Sequence, residues 1–136
     1  MYYKYLFTIL LSASSLYSSI NYYYSNSKKV YLSPIKKEEI TKSPALNMHK
    51  NIVYYKTDRG NILGVGDSII VKFHNLAEYE NITKKYSLRE IKEIYLGVYL
   101  FELEDIENIL LICDELYNDE NILYAHPNFI KSIEKR

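Results

Sequence analysis

Leu88-Arg89-Glu90-Ile91-Lys92-Glu93-Ile94-Tyr95-Leu96-Gly97-Val98-Tyr99-Leu100-Phe101-Glu102-Leu103 is the stretch on which the fold turns. Leu88, Ile91 and Ile94 recur every three residues, which suits a helix. Residues 98–103 are rich in β-branched, aromatic and leucine side chains, which suits a strand. Leu96-Gly97 between them is a compact turn. A strand that closely follows a tight glycine turn pairs with what precedes it. The stretch therefore predicts a strand over 89–95, a turn, and a second strand over 98–103.

Working outward towards the N-terminus, residues 68–74 alternate as a strand. Ile69, Val71 and Phe73 point one way; Ile70, Lys72 and His74 point the other. Asn75 with Glu78 three residues on predicts a capped helix start. The stripe of that helix is Leu76, Tyr79, Ile82 and Tyr86. On the other side, Asp105 is the expected cap of a second helix. Its apolar positions are Ile106, Ile109, Leu110, Cys113, Leu116 and Tyr117, widened by Leu111 and Ile112. After the turn Asn118–Asn121, residues 122–125 form the last strand. Pro127 ends it, because proline cannot donate to a ladder.

The order over 67–126 is β-α-β-β-α-β. This predicts an α+β, ferredoxin-like fold: a four-stranded antiparallel sheet with two helices on one face. The other face must meet solvent or a partner. Upstream, residues 52–56 and 62–65 flank the turn Asp58-Arg59-Gly60-Asn61, so 51–66 reads as a small hairpin. Residues 20–50 have no clear period, and Pro34 and Pro44 interrupt any helix there. They are expected to be a poorly ordered linker. Residues 1–19 have a short basic start, the apolar run Leu6–Leu11 and a serine-rich exit, the pattern of a secretory signal peptide. An uncleaved anchor is the alternative. Either reading places the domain outside the cytoplasm, secreted or periplasmic, with no membrane role once the leader is removed.

Lys+Arg and Asp+Glu both number 17, so the net charge is zero. Nucleic-acid binding, which needs a clustered basic face, is not expected. The one cysteine, Cys113, excludes an internal disulfide and any CxxC site. It is expected to be buried and inert. His49, His74 and His126 are scattered, and no serine or cysteine has an identifiable base. His74 is expected to be exposed or hydrogen-bonded rather than a metal ligand. No catalytic residue, metal site or cofactor is expected, and the chain reads as a binding module.

Four segments, taken together, carry a resemblance. They are Asp67–Phe73, Lys85-Tyr86-Ser87-Leu88, Gly97–Leu103 and Leu123-Tyr124-Ala125-His126-Pro127-Asn128-Phe129. In this order, behind a signal peptide, they resemble the N-terminal propeptide of secreted subtilisin-like serine proteases of the fervidolysin type. The resemblance covers roughly the second half of the chain, residues 67–130 with a tail over 131–136. It implies a βαββαβ unit that is both inhibitor and folding chaperone, and a monomer when free. The open sheet face would dock on two surface helices of the protease. The chain from Asn128 to Arg136 would lie in the substrate cleft like a bound product.

The partner-binding residues so implied are Tyr124, His126, Pro127, Asn128, Phe129, Ile130, Ile133 and Arg136. With Arg136 in the first specificity pocket, Ile133 falls in the fourth. Main-chain pairing of an extended tail with a sheet edge would supply affinity. In the family a protease domain with an Asp, His and Ser triad follows. No Gly-x-Ser-x-Gly setting occurs in residues 1–136. The Leu96-Gly97 turn lacks the acid that some relatives use to cap the protease helices, for which Glu93 or Glu102 could substitute. Three readings stay open: a free-standing inhibitor or chaperone, the detached propeptide of a split protease gene, and a ferredoxin-like ligand-binding or regulatory domain.

Overall fold

The computed structural model describes residues 20–35 and 52–131. Among them, a strand hairpin β1 (Tyr22–Ser25) and β2 (Lys28–Pro34) comes first, then β3 (Val53–Thr57) and β4 (Ile62–Val65). The βαββαβ stretch follows as β5 (Ser68–Phe73), α1 (Tyr79–Lys85), β6 (Arg89–Tyr95), β7 (Val98–Glu102), α2 (Ile109–Tyr117) and β8 (Ile122–Pro127). A two-residue strand, β9 (Ile130–Lys131), closes the described chain. No helix among the described residues is long and apolar enough to cross a membrane.

The strands form two antiparallel sheets, so the fold is mixed α+β. One has the order β6-β7-β5-β8, the other β1-β2-β3-β4-β9. Residues 89–95 are a strand, as the glycine turn requires: Gly97 has φ +80°, and β6 pairs antiparallel with β7. The threefold recurrence of Leu88, Ile91 and Ile94 has a strand explanation. The register slips at Ile91 and again at Ile94, so both are bulge residues on an outer strand.

Burial follows the alternation read from β5. Ile69, Val71 and Phe73 are buried with Phe101 and Ala125 from the neighbouring strands. Ile82 of α1 and Ile109, Cys113 and Leu116 of α2 join that same cluster, so both helices cover that side. Two details of the helix starts differ from expectation. The Asn75 side chain accepts from the Ala77 N–H at 3.1 Å, but Glu78 accepts from Asn81 at 2.9 Å instead of completing a capping box. Asp105 makes no backbone cap; its carboxylate accepts from Asn108 Nδ2 at 2.7 Å. Each helix is entered through a 3-10 turn, Leu76–Glu78 and Ile106–Asn108, which moves its first α turn away from the residue expected to cap it. For the same reason Leu76 lies outside the core, 45% exposed.

The linker expected over 20–50 needs the larger correction. Residues 22–34 are a hairpin, turned at Asn26 and Ser27 with φ of 50° and 64°, and β2 pairs with β3. Paired positive φ values are what a two-residue hairpin turn demands. Residues 36–50 lie outside the described residues. The 52–65 hairpin forms as expected, but as the middle of the five-stranded sheet. The small second core is Leu32, Leu63 and Leu110, packed with Ile20, Tyr23, Tyr55 and Phe129. Helix α2 thus serves both sheets. Its residues 109, 113 and 116 face the first core, while Leu110, Asp114 and Tyr117, one position on, meet β1 and its sheet.

Candidate functional site

The helix-free face of the four-stranded sheet is built from the alternate residues of β5, β7 and β8 together with β6. Cross-strand pairing sets them in rows. One row runs Tyr95, Val98, Lys72, Tyr124; the next runs Lys92, Leu100, Ile70, His126. In the first row the two tyrosines stand on opposite outer strands. Their hydroxyls approach to 3.3 Å. The pair closes over the row, which explains why Val98 is only 1% exposed on a face that no helix covers. Burial, then the hydrogen bond with Tyr95, pushes the Tyr124 phenol up to about 12.

The two ends of the face differ. At the β6 end every residue of the strand is exposed, and Leu96 in the following turn is 83% exposed. Arg89 on β6 forms an ion pair with Glu102 on β7. Glu90 accepts from the Tyr79 hydroxyl at 2.6 Å. Of the two acids considered as helix caps for a partner, Glu102 is therefore engaged within the sheet, and Glu93 lies on the exposed strand.

At the β8 end the face runs into a cleft of about 440 Å³. One wall is Ile70, Tyr124, His126, Pro127, Asn128 and Phe129; the other is Tyr23, Tyr24, Ser25 and Asn26 of the first hairpin. No Asp, Glu, Lys or Arg lines it. The Tyr124 and His126 rings stack at 5.7 Å with a 20° tilt, and Tyr23 packs on Phe129 at 4.5 Å. His126 Nδ1 donates to the Pro127 carbonyl at 2.9 Å. The cleft can take an uncharged group that stacks on rings and meets a few hydrogen-bonding side chains.

Five of the residues expected to bind a partner thus share one wall: Tyr124, His126, Pro127, Asn128 and Phe129. Ile130 stands apart in β9, and Ile133 and Arg136 lie outside the described residues. The expectation that the chain leaves the body at Asn128 gives way to a tethered path. The Asn128 N–H donates to the Ser68 carbonyl at 2.9 Å, Phe129 is packed in the second core, and Ile130 and Lys131 pair with Gly64 and Leu63. The sheet ladder continues past the proline because β8 is an outer strand, where a missing N–H costs nothing.

Sequence reasoning missed the opposite wall and Tyr95. The signal for the wall was present: apolar residues at Tyr22–Tyr24 and Val30–Leu32 flank Asn26-Ser27, two residues that tolerate positive φ. Cys113 is buried, and burial first, then the nearby Asp114, raises its thiol far above the ordinary range, which keeps it an unreactive core residue. Among the described residues no group of three or more His, Cys, Asp or Glu side chains could hold a metal ion. No family model, no curated protein and no solved structure matches the chain.

Proposed function

We propose that this chain is a propeptide-like module that binds a subtilisin-like serine protease as inhibitor, folding chaperone or both. The observation that carries the reading is the two-sidedness of the four-stranded sheet. Both helices pack on the side of Ile69, Val71 and Phe73, while the opposite side presents Ile70, Leu100 and Tyr124 half-exposed beside a fully exposed β6. We read the order β6-β7-β5-β8 as the ferredoxin-like arrangement that the propeptide resemblance implies. This face sets Ile70, Leu100, Tyr95 and Tyr124 among Lys72, Lys92 and the Arg89–Glu102 pair, a mixed surface that suits a protein partner. The secretory leader expected over 1–19 belongs to the same proposal, since such proteases act outside the cytoplasm.

In this reading the tail is shorter than the resemblance implies. Lys131 is still paired with Leu63, so the segment that enters the substrate cleft starts at Ser132. Ile133 then takes the fourth pocket and Arg136 the first.

The test is titration of the purified chain into a panel of subtilisin-like enzymes, read by hydrolysis of a peptide substrate. Inhibition should reach completion at about one equivalent for at least one enzyme. Deletion of residues 132–136 should weaken it by about tenfold or more, the equivalent of about 1.4 kcal/mol. Leu100→Asp, which places a charge on the docking face, should weaken it further. Enzymes that all stay fully active in excess chain would sink the proposal.

A second reading is supported by the uncharged cleft itself, whose volume suits a small ligand. A ferredoxin-like ligand-binding domain would be stabilised thermally by an aromatic ligand. In this reading Tyr124→Ala would remove that stabilisation, and the chain would leave every subtilisin-like enzyme fully active.

A further inference from the structure

Four tyrosines stand in a row between the first hairpin and helix α2. Tyr22 and Tyr24 share one face of β1, and Tyr31 is paired with Tyr22 across the hairpin. Tyr31 is 62% exposed, and its ring meets the Tyr22 ring edge-on at 6.0 Å. Tyr22 meets Tyr24 edge-on at 5.7 Å. Tyr24 in turn lies on Tyr117 of α2, with 3.8 Å between the ring centroids and 8° between the ring planes. The Tyr22 hydroxyl donates to the Asp114 carboxylate at 3.0 Å, so a proton acceptor stands beside the row.

Tyr24–Tyr117 has the closest centroids of the aromatic pairs among the described residues, and both members are phenols. In nearly parallel rings at this distance every carbon of one ring lies against the other ring, including the carbons ortho to each hydroxyl. Both residues are half-buried, so packing holds the stack, while Tyr31 and Tyr22 lead from solvent to it. The one thiol of the chain, Cys113, is buried in the main core and does not compete for an oxidant.

The geometry points to an oxidative cross-linking site at which Tyr24 and Tyr117 are joined ring to ring. The oxidant is of the peroxidase class, with hydrogen peroxide as the electron acceptor. Each phenol loses one electron and one proton, and the radical so formed carries unpaired density on its ortho carbons. A carbon–carbon bond forms between an ortho carbon of Tyr24 and one of Tyr117. Each of these carbons then gives up its hydrogen as a proton while each oxygen regains one, which restores two aromatic phenols. The two electrons and two protons removed in all convert one hydrogen peroxide into two waters. The link would fasten β1 to α2 and constrain the unfolded chain. It does not depend on the protease reading.

The experiment is treatment of the purified full chain with a haem peroxidase and hydrogen peroxide, followed by dityrosine fluorescence, gel electrophoresis and mass spectrometry. At a chain concentration of about 10 µM, an effective concentration on the order of millimolar within one chain favours the internal link over dimers by about a hundredfold. The expected product is a monomer lighter by two hydrogen atoms. Digestion after lysine, arginine and glutamate leaves Tyr117 as the one tyrosine of residues 116–120, so the linked peptide is identified by mass and its other end by fragmentation. Tyr24→Phe and Tyr117→Phe keep the stacked rings, which circular dichroism checks. Each should lower the yield of this link by about tenfold or more, as should unfolding in urea, because the two phenols are then no longer held together. Dimers in place of the internal link, a link confined to other tyrosines, or a yield unchanged in either variant or in urea overturns the site.

Discussion

Gly64 illustrates how one residue sets the path of the chain's last described strand. A Cβ there would lie 2.9 Å from Ile52 Cγ2, 3.0 Å from Tyr54 Cε1 and 3.3 Å from Ile130 Cβ. The glycine is needed for space, because the Tyr54 ring and β9 both lie against the bare backbone. Gly64→Val should therefore overpack this corner by about 1–3 kcal/mol and release β9, which is held to β4 by only two paired residues. Urea denaturation should show the loss, and hydrogen exchange should show Ile130 and Lys131 losing protection while β5 keeps it. Retained protection at β9 would contradict the account. At the same scale, Tyr124→Phe removes the hydroxyl contact with Tyr95. It should cost about 0.5–1 kcal/mol, as for an exposed neutral hydrogen bond, and leave Val98 covered by the ring.

Among the elements, α2 joins the two sheets. Its side chains at 109, 113 and 116 repeat every three or four residues, and so do those at 110, 114 and 117, one residue on and about 100° round the helix. The first set fills the main core; the second meets β1, through the Tyr22 hydroxyl donating to Asp114 at 3.0 Å and the Tyr24 ring stacked on Tyr117 at 3.8 Å. Leu116→Ala should destabilise the whole molecule by about 2–5 kcal/mol. Leu110→Ala should cost less, about 2 kcal/mol, and should loosen β1 and β2 ahead of the rest in hydrogen exchange. Simultaneous loss of protection in both sheets would mean that the two cores form one cooperative unit. The Tyr22→Phe and Asp114→Asn pair should couple by about 1 kcal/mol in a double-mutant cycle.

At the scale of the whole molecule the abundant tyrosines make stability depend on alkaline pH. Burial, then hydrogen bonding to Asp114, pushes Tyr22 up to about 12, and Tyr124 rises to about 12. Tyr79, half-buried and bonded to Glu90, is raised further, and Tyr23, Tyr55, Tyr86 and Tyr99 are raised chiefly by desolvation. Each phenol ionises more readily unfolded, at the ordinary value of 10, than folded. Their stabilisation is thus fully present below pH 10 and is lost as the pH rises through about 12. The melting temperature should be flat to pH 10 and fall steeply above it. A step in phenolate absorbance should accompany unfolding, and a melting temperature independent of pH up to 12 would refute the linkage.

Much of the second half was legible because its signals are local. The alternation of Ile69, Val71 and Phe73, the repeat at Ile109, Cys113 and Leu116, and the Gly97 turn each lie within a few residues of sequence, and each dictates a face or a reversal of the chain. The wall formed by Tyr124 to Phe129 was legible for the same reason, as a strand stopped near a proline. What only the tertiary structure decided is non-local. Residues 20–35 carry no strong period, and their tyrosines become core only because α2 has a second flank and Leu63 stands opposite Leu32. Likewise, whether Ile130 hangs free or pairs depends on the space left by Gly64, some 66 residues earlier, since a two-residue strand has too few bonds of its own to specify a partner.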